Sequence, residues 1–137
     1  MLANFLVEYC SPTLAGIKTA NLFNCQYGSH SRAELAFIIA LWNRRLNSKG
    51  VSLKVLRFSR GNALIYVYRE KQLKEDFKKN GVAEFLFSCG YDITNIQACI
   101  ERLSKRICES ESFPHEIGLF LGYPLGDVTG FIENKGK

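Results

Sequence analysis

The stretch Val51–Arg69, VSLKVLRFSRGNALIYVYR, decides the fold. VSLKVLRF and ALIYVY are β-branched and aromatic runs, and the SRGN between them supplies Gly61 and Asn62 for the positive φ of a tight turn. The spacing predicts an antiparallel hairpin over residues 51–68. In its first strand Leu53 and Val55 alternate with Lys54, while Leu56 and Phe58 make the other face apolar as well. The second strand is apolar on both faces, which is the pattern of a central strand.

On the N-terminal side, Ser31 and Glu34 form a capping box, and a helix follows over residues 31–48, stopping at Gly50. Leu35, Ile38, Ile39, Trp42 and Leu46 make its apolar stripe, with Arg44 and Arg45 turned to water. Earlier still, Leu2, Phe5, Leu6 and Tyr9 share one face of a short helix. Ser11-Pro12 then reads as an N-cap followed by a first-turn proline, and Gly16 ends that turn. TANLFNC suggests a third strand near 19–25.

On the C-terminal side, REKQLKEDFKKN is an amphipathic helix ending at Gly81, with Leu73 and Phe77 inward. Strand signals then stop. VAEFLFSC reads as a short helix, Gly90-Tyr91 as a turn, and Asp92 as the cap of a long helix through Cys108. EFLFSCGYDITNIQACIE (84–101) and EIGLFLGYPLGDVTGFIE (116–133) superpose at an offset of 32 residues, each a short helix, a Gly-Tyr turn and a second helix. The expected class is α+β: a small antiparallel sheet on a long helix, followed by two helical hairpins. One domain over 1–137 is expected, with the α+β part at about 1–80 and the hairpins at about 81–137.

Composition narrows the function classes. At 137 residues, 47% hydrophobic and 23% charged, the chain has the make-up of a soluble globular domain able to bury a core. Its apolar runs fall short of the roughly 18 residues of a membrane span. MLANFLVEYC carries no positive charge and is interrupted by Glu8, so it does not read as a secretory signal, and a cytoplasmic setting is expected. The five cysteines lack any C-x-x-C spacing, and Cys10, Cys25, His30 and His115 have no ligand-like arrangement; no metal and no cofactor are expected. Walker and dinucleotide-binding glycine patterns are absent.

Residues 44–79 hold 11 of the 18 basic residues against three acidic ones, a balance of +8. Arg57, Arg60 and Lys78 represent this basic face. Nucleic-acid binding through it would be weak, sequence-indifferent and salt-sensitive. Residues 116–133 have the spacing of a helix-turn-helix: Gly118 would let two helices cross closely, Gly122 sits in the turn, and Val128 and Phe131 would hold the second helix. Residues 82–137, however, hold five basic and eight acidic residues, and PLGDVTG offers no side chain suited to reading base edges. A packing hairpin is the stronger reading.

CSPTLAGIKTANLF (Cys10–Phe23), the hairpin above and FPHEIGLFLGYPLGDVTGFIENKGK (Phe113–Lys137) together resemble a widespread bacterial family of unknown function. The resemblance covers nearly the whole chain and implies a fold without implying a chemistry. Members usually continue past ENKGK with a Cys-, Trp- and Tyr-containing tail, so a site completed by such a tail would be incomplete here.

Candidate site residues follow from residue type. His115 and Glu116 open a helix behind Phe113-Pro114, where the dipole favours a neutral imidazole and a charged carboxylate. Leu119 stands where a zincin motif would have its second histidine. Cys10 could be a nucleophile with His115 as its base, while Thr13, Lys18 and Tyr123 are candidate ligand contacts. The favoured function is a binding or adaptor module with a protein or other macromolecular partner. A small enzyme joining Cys10 and His115, and a helix-turn-helix DNA binder, are the alternatives.

Overall fold

The computed structural model describes residues 2–28, 30–110 and 112–133, the side chains of 131–133 excepted. The described residues form helix α1 (Leu2–Leu14), strand β1 (Ala20–Gln26), helix α2 (Arg32–Leu46), strands β2 (Val51–Ser59) and β3 (Asn62–Arg69), and helices α3 (Glu70–Phe77), α4 (Val82–Ser88), α5 (Ile96–Glu109), α6 (Ile117–Phe120) and α7 (Leu125–Glu133). The class is α+β. None of these helices is long and apolar enough to cross a membrane.

The sheet is antiparallel in the order β1-β3-β2. The strand that is apolar on both faces is the central one, and each face covers a different core. Ala63, Ile65 and Val67 point into a cluster with Leu2, Leu6, Cys10, Phe23, Leu35 and Ile39, supplied by α1, β1 and α2. Leu64, Tyr66 and Tyr68 point into a larger cluster built from α3 to α7, including Leu73, Phe77, Leu86, Ile100, Leu103 and Phe120. The sheet is thus the middle of three layers.

Strict alternation along β2 would send Leu56 and Phe58 to the same face. A bulge between Val55 and Arg57 changes that: Leu56 joins the larger cluster, while Phe58, opposite Ala63, packs against the cluster of α1 and α2. An inserted residue resets the pleat by one, which alternation alone cannot foresee. At the outer edge of β2 the Asn43 amide of α2 accepts from Leu53 N (2.7 Å) and donates to Leu53 O (3.1 Å). In the hairpin turn positive φ is confined to Gly61, at +69°, and Asn62 already belongs to β3.

Two expected boundaries move. α1 runs through Pro12 in one piece, and the Ser11 hydroxyl donates to Val7 O in place of capping a new helix. Proline forfeits the bond to the Glu8 carbonyl, but only two residues of α1 follow it, so the break it imposes falls at the helix end. Gly16, at φ +80°, then ends the helix, with Gly16 N donating to Thr13 O (3.1 Å) and Ile17 N to Pro12 O (2.8 Å). Arg69, from the end of β3, donates to the terminal carbonyls of Thr13 (2.7 Å) and Leu14 (2.8 Å). Asn95 caps α5 through Ala98 N, whereas Asp92 closes a local turn on Thr94. The capping box at Ser31 and Glu34 forms as expected.

Candidate functional site

The chain's two end segments meet beside α3. Past Gly16 the chain turns through Lys18 and Thr19 into β1, and the buried Thr19 hydroxyl donates to Asp76 Oδ2 at 2.5 Å. Asp76 is itself buried and also accepts from Gln72 (3.3 Å) and Lys79 (3.2 Å). Gly122, at φ +93°, rests on this pair: a β-carbon there would lie 3.0 Å from Thr19 Cβ and 3.5 Å from Asp76 Oδ2. The next residue, Tyr123, has its ring 5.4 Å from Lys18 Nζ.

A solvent-open groove of about 310 Å³ adjoins that junction, lined by Phe113, Pro114, His115, Ile117, Gly118, Tyr123, Asp127 and Val128. It exists because α6 and α7 pack closely; a β-carbon at Gly118 would come within 2.8 Å of Val128 Cγ2. The expected close crossing at Gly118 is present. Phe113 and Tyr123, 45% and 50% exposed, flank the groove, and the Arg57 guanidinium lies 5.7 Å from the Phe113 ring. Tyr9, Phe37 and Phe87 are exposed to a similar or greater degree, but they do not line this groove.

Glu116 adjoins the groove lining but turns inward, 2% exposed. It pairs with Arg106 and accepts from the Tyr91 hydroxyl at 2.9 Å. The bond to Glu116 raises the Arg106 pKa; burial, with the charge of Glu116 second, raises that of Tyr91. This carboxylate is committed to the fold's interior and does not serve as an open base. Half-buried His115 lines the groove with Tyr123 and Asp127.

Cys10 sits elsewhere. It is fully buried in the cluster of α1 and α2, and burial pushes its thiol up to about 12. None of the groove residues belongs to that cluster. Thr13, also buried, donates its hydroxyl to Asn21 Oδ1 at 2.6 Å. Of the sequence candidates, Lys18, Glu116, His115 and Tyr123 are drawn to one region, whereas Cys10 and Thr13 are fully buried away from it.

Of the eleven basic residues of 44–79, five are held locally. Lys54 pairs with Glu101, Lys74 with Glu70 (3.7 Å), Lys78 with Glu75 (3.8 Å) and Lys79 with Asp76, while Arg69 is bound to helix carbonyls. Arg60 is exposed in the hairpin turn, and Arg57 stacks on Phe113. In the helix-turn-helix look-alike, α6 is a single turn, and the Thr129 hydroxyl donates to Leu125 O (3.1 Å) within its own helix. The Phe131 side chain and residues 134–137 lie outside the described residues. Among the described residues, no group of three or more His, Cys, Asp or Glu side chains could hold a metal ion.

Sequence reasoning missed the Thr19–Asp76 pair and the Tyr91–Glu116–Arg106 network. A signal existed for the first: Asp76 lies three residues after Leu73, on the stripe that Leu73 and Phe77 bury, so it needed a donor. No curated protein and no solved structure matches the chain. A family model described as "Protein of unknown function (DUF3793)" matches residues 6–137.

Proposed function

The chain belongs to that family, which carries no established activity to inherit, and from its own geometry we propose that it is a binding module docking a protein partner in the groove between Phe113 and Tyr123. The observation that carries this reading is the pair of half-exposed aromatic rings flanking an apolar wall, each with a cation over or near its face. Rigid rings in a concave, partly desolvated setting supply binding energy at low conformational cost. A volume of about 310 Å³ lies at the small end of ligand sites and suits one or two side chains of a partner.

A protein partner is favoured over nucleic acid because the groove has an apolar wall and carries Asp127, and because five of the eleven basic residues of 44–79 are already paired or bound to carbonyls. Phosphate binding needs cations free to replace counterions. The enzyme alternative draws no support from Cys10, which is buried with a raised pKa in the other core. Affinity capture from native lysate, run in parallel with wild type, Phe113→Ser and Tyr123→Ser, tests the proposal. Both rings are half exposed, so the variants keep the fold. Proteins retained by wild type should be lost from both variants; equal retention by all three would overturn the reading.

A further inference from the structure

Resting on that reading, we propose that the groove is built for a partner segment bearing a carboxylate, held between the Tyr123 hydroxyl and the Lys18 ammonium, with a large apolar side chain one helical turn further on. The molecule's internal repeat points to this occupant. α4 and α6 end in the same turn, 32 residues apart. Gly90 and Gly122 have φ of +92° and +93°. Gly90 N donates to Phe87 O (2.9 Å) and Tyr91 N to Leu86 O (2.9 Å); Gly122 N donates to Leu119 O (3.2 Å) and Tyr123 N to Gly118 O (2.9 Å). Tyr91 and Tyr123 therefore leave equivalent turns, and each ring meets a cation: Arg102 at 5.7 Å and Lys18 at 5.4 Å.

Their surroundings differ in one respect. Tyr91 is covered by the chain itself: its hydroxyl donates to Glu116, and its ring packs 5.4 Å from that of Phe120, four residues beyond Glu116. Tyr123 is half exposed, and among the described residues its hydroxyl makes no hydrogen bond and the Lys18 ammonium has no carboxylate partner. Ile117, Val128 and Phe113 stand beside it as an apolar wall. The first hairpin thus displays the kind of occupant that the second leaves room for: a carboxylate for the tyrosine hydroxyl and an apolar side chain at i+4 for the wall. The carboxylate there takes its cation from Arg106, while Arg102 over the ring donates to Cys89 O; beside Tyr123 the cation left without a carboxylate among the described residues is Lys18. Asp127 on the same groove repels any anion, and a multiply charged phosphate about twice as strongly as a single carboxylate, so a carboxylate bound here has to lie on the Lys18 side of Tyr123.

The test uses the whole chain and a fluorescent peptide with the sequence of residues 113–121, FPHEIGLFL, as a carboxylate-bearing probe, beside the same peptide with its glutamate replaced by glutamine. Binding is read by fluorescence anisotropy and located by amide chemical shifts. The glutamate peptide should bind and shift the amides of Lys18 and Tyr123. The glutamine peptide should bind about tenfold more weakly, as expected for loss of a hydrogen bond to a charged group. Tyr123→Phe and Lys18→Met should each weaken the glutamate peptide to a similar degree. Equal binding of the two peptides, or indifference to both variants, overturns the carboxylate inference while leaving the groove as a docking site. Shifts confined to the surroundings of Tyr91, or binding by neither peptide, also overturn it. So does a concentration-dependent dimer lost in Tyr123→Ala without peptide binding, since a second copy would then be the occupant. The docking reading itself stands or falls on the capture experiment.

Discussion

Replacing Gly122 by alanine isolates the contact that joins the two ends of the chain. Two costs add at this position. The backbone is left-handed at φ +93°, which costs an L-residue about 1–2 kcal/mol. The new β-carbon would also stand 3.0 Å from Thr19 Cβ and Oγ1, on a buried side chain held by its bond to Asp76. Overpacking of that kind costs about 1–3 kcal/mol, for a total of about 2–5 kcal/mol. Two other glycines separate the two costs. Gly61, at φ +69°, has nothing within 4 Å of an added methyl, so Gly61→Ala should show the backbone cost alone. At Gly90, φ +92°, the methyl would meet the tip of the Arg102 side chain, which can swing aside, so Gly90→Ala should resemble Gly61→Ala. Urea unfolding followed by far-UV dichroism and by fluorescence of Trp42, the sole tryptophan, gives the three values and checks that both cores unfold together. A Gly122→Ala cost no larger than that of Gly61→Ala would refute the packing of Gly122 on Thr19.

Three further outcomes follow from the same structure. Glu116→Leu should destabilise by about 2–4 kcal/mol, because it strands the buried Tyr91 hydroxyl and leaves Arg106 unpaired, discounted for the partial exposure of Arg106; a change under about 0.5 kcal/mol by urea titration would contradict it. In native protein at pH 8, iodoacetamide should modify exposed Cys108 rapidly and fully buried Cys10 and Cys25 only on unfolding, as read by peptide mass mapping; fast labelling of Cys10 would revive it as a nucleophile. Burial raises the Cys10 thiol to about 12 and that of Cys99 to about 11, both above their ordinary 9.0. Folded thiols then hold their protons where unfolded ones release them. Their contribution is complete below about pH 9 and declines as pH rises toward 11–12. The urea midpoint should fall across that window, less so in Cys10→Ala; a decline of equal size in the variant would contradict the assignment to Cys10.

Much of the fold could be read directly. The two-faced apolar run Ala63–Tyr68 marks the central strand, Ser31 with Glu34 marks the start of α2, and the 32-residue echo of Gly-Tyr marks two turns that share their backbone bonds. What escaped depends on contacts distant in sequence or on one-residue irregularities. Nothing local to Leu56 announces a bulge, and nothing local to Pro12 tells a last-turn proline from a first-turn one. The site was half legible. Residue type singled out His115 and Tyr123, which line one groove, and Lys18, which stands over the Tyr123 ring, but type alone made Cys10 reactive when the fold buries it on the opposite face of the sheet. Charge summed along residues 44–79 already counts Glu70, Glu75 and Asp76, which pair with Lys74, Lys78 and Lys79; what the sum could not foresee is Glu101, which reaches Lys54 from a different part of the chain.

Photo-crosslinking tests the central claim, that the Phe113–Tyr123 groove is the docking surface, most directly. p-Benzoylphenylalanine is placed at Tyr123 or, as a control, at Phe87, which is 79% exposed and lies outside that groove. Irradiation in intact cells should give a discrete higher-mass adduct from position 123 and none from position 87. Adducts of equal yield at both positions, or at position 87 alone, would contradict the account.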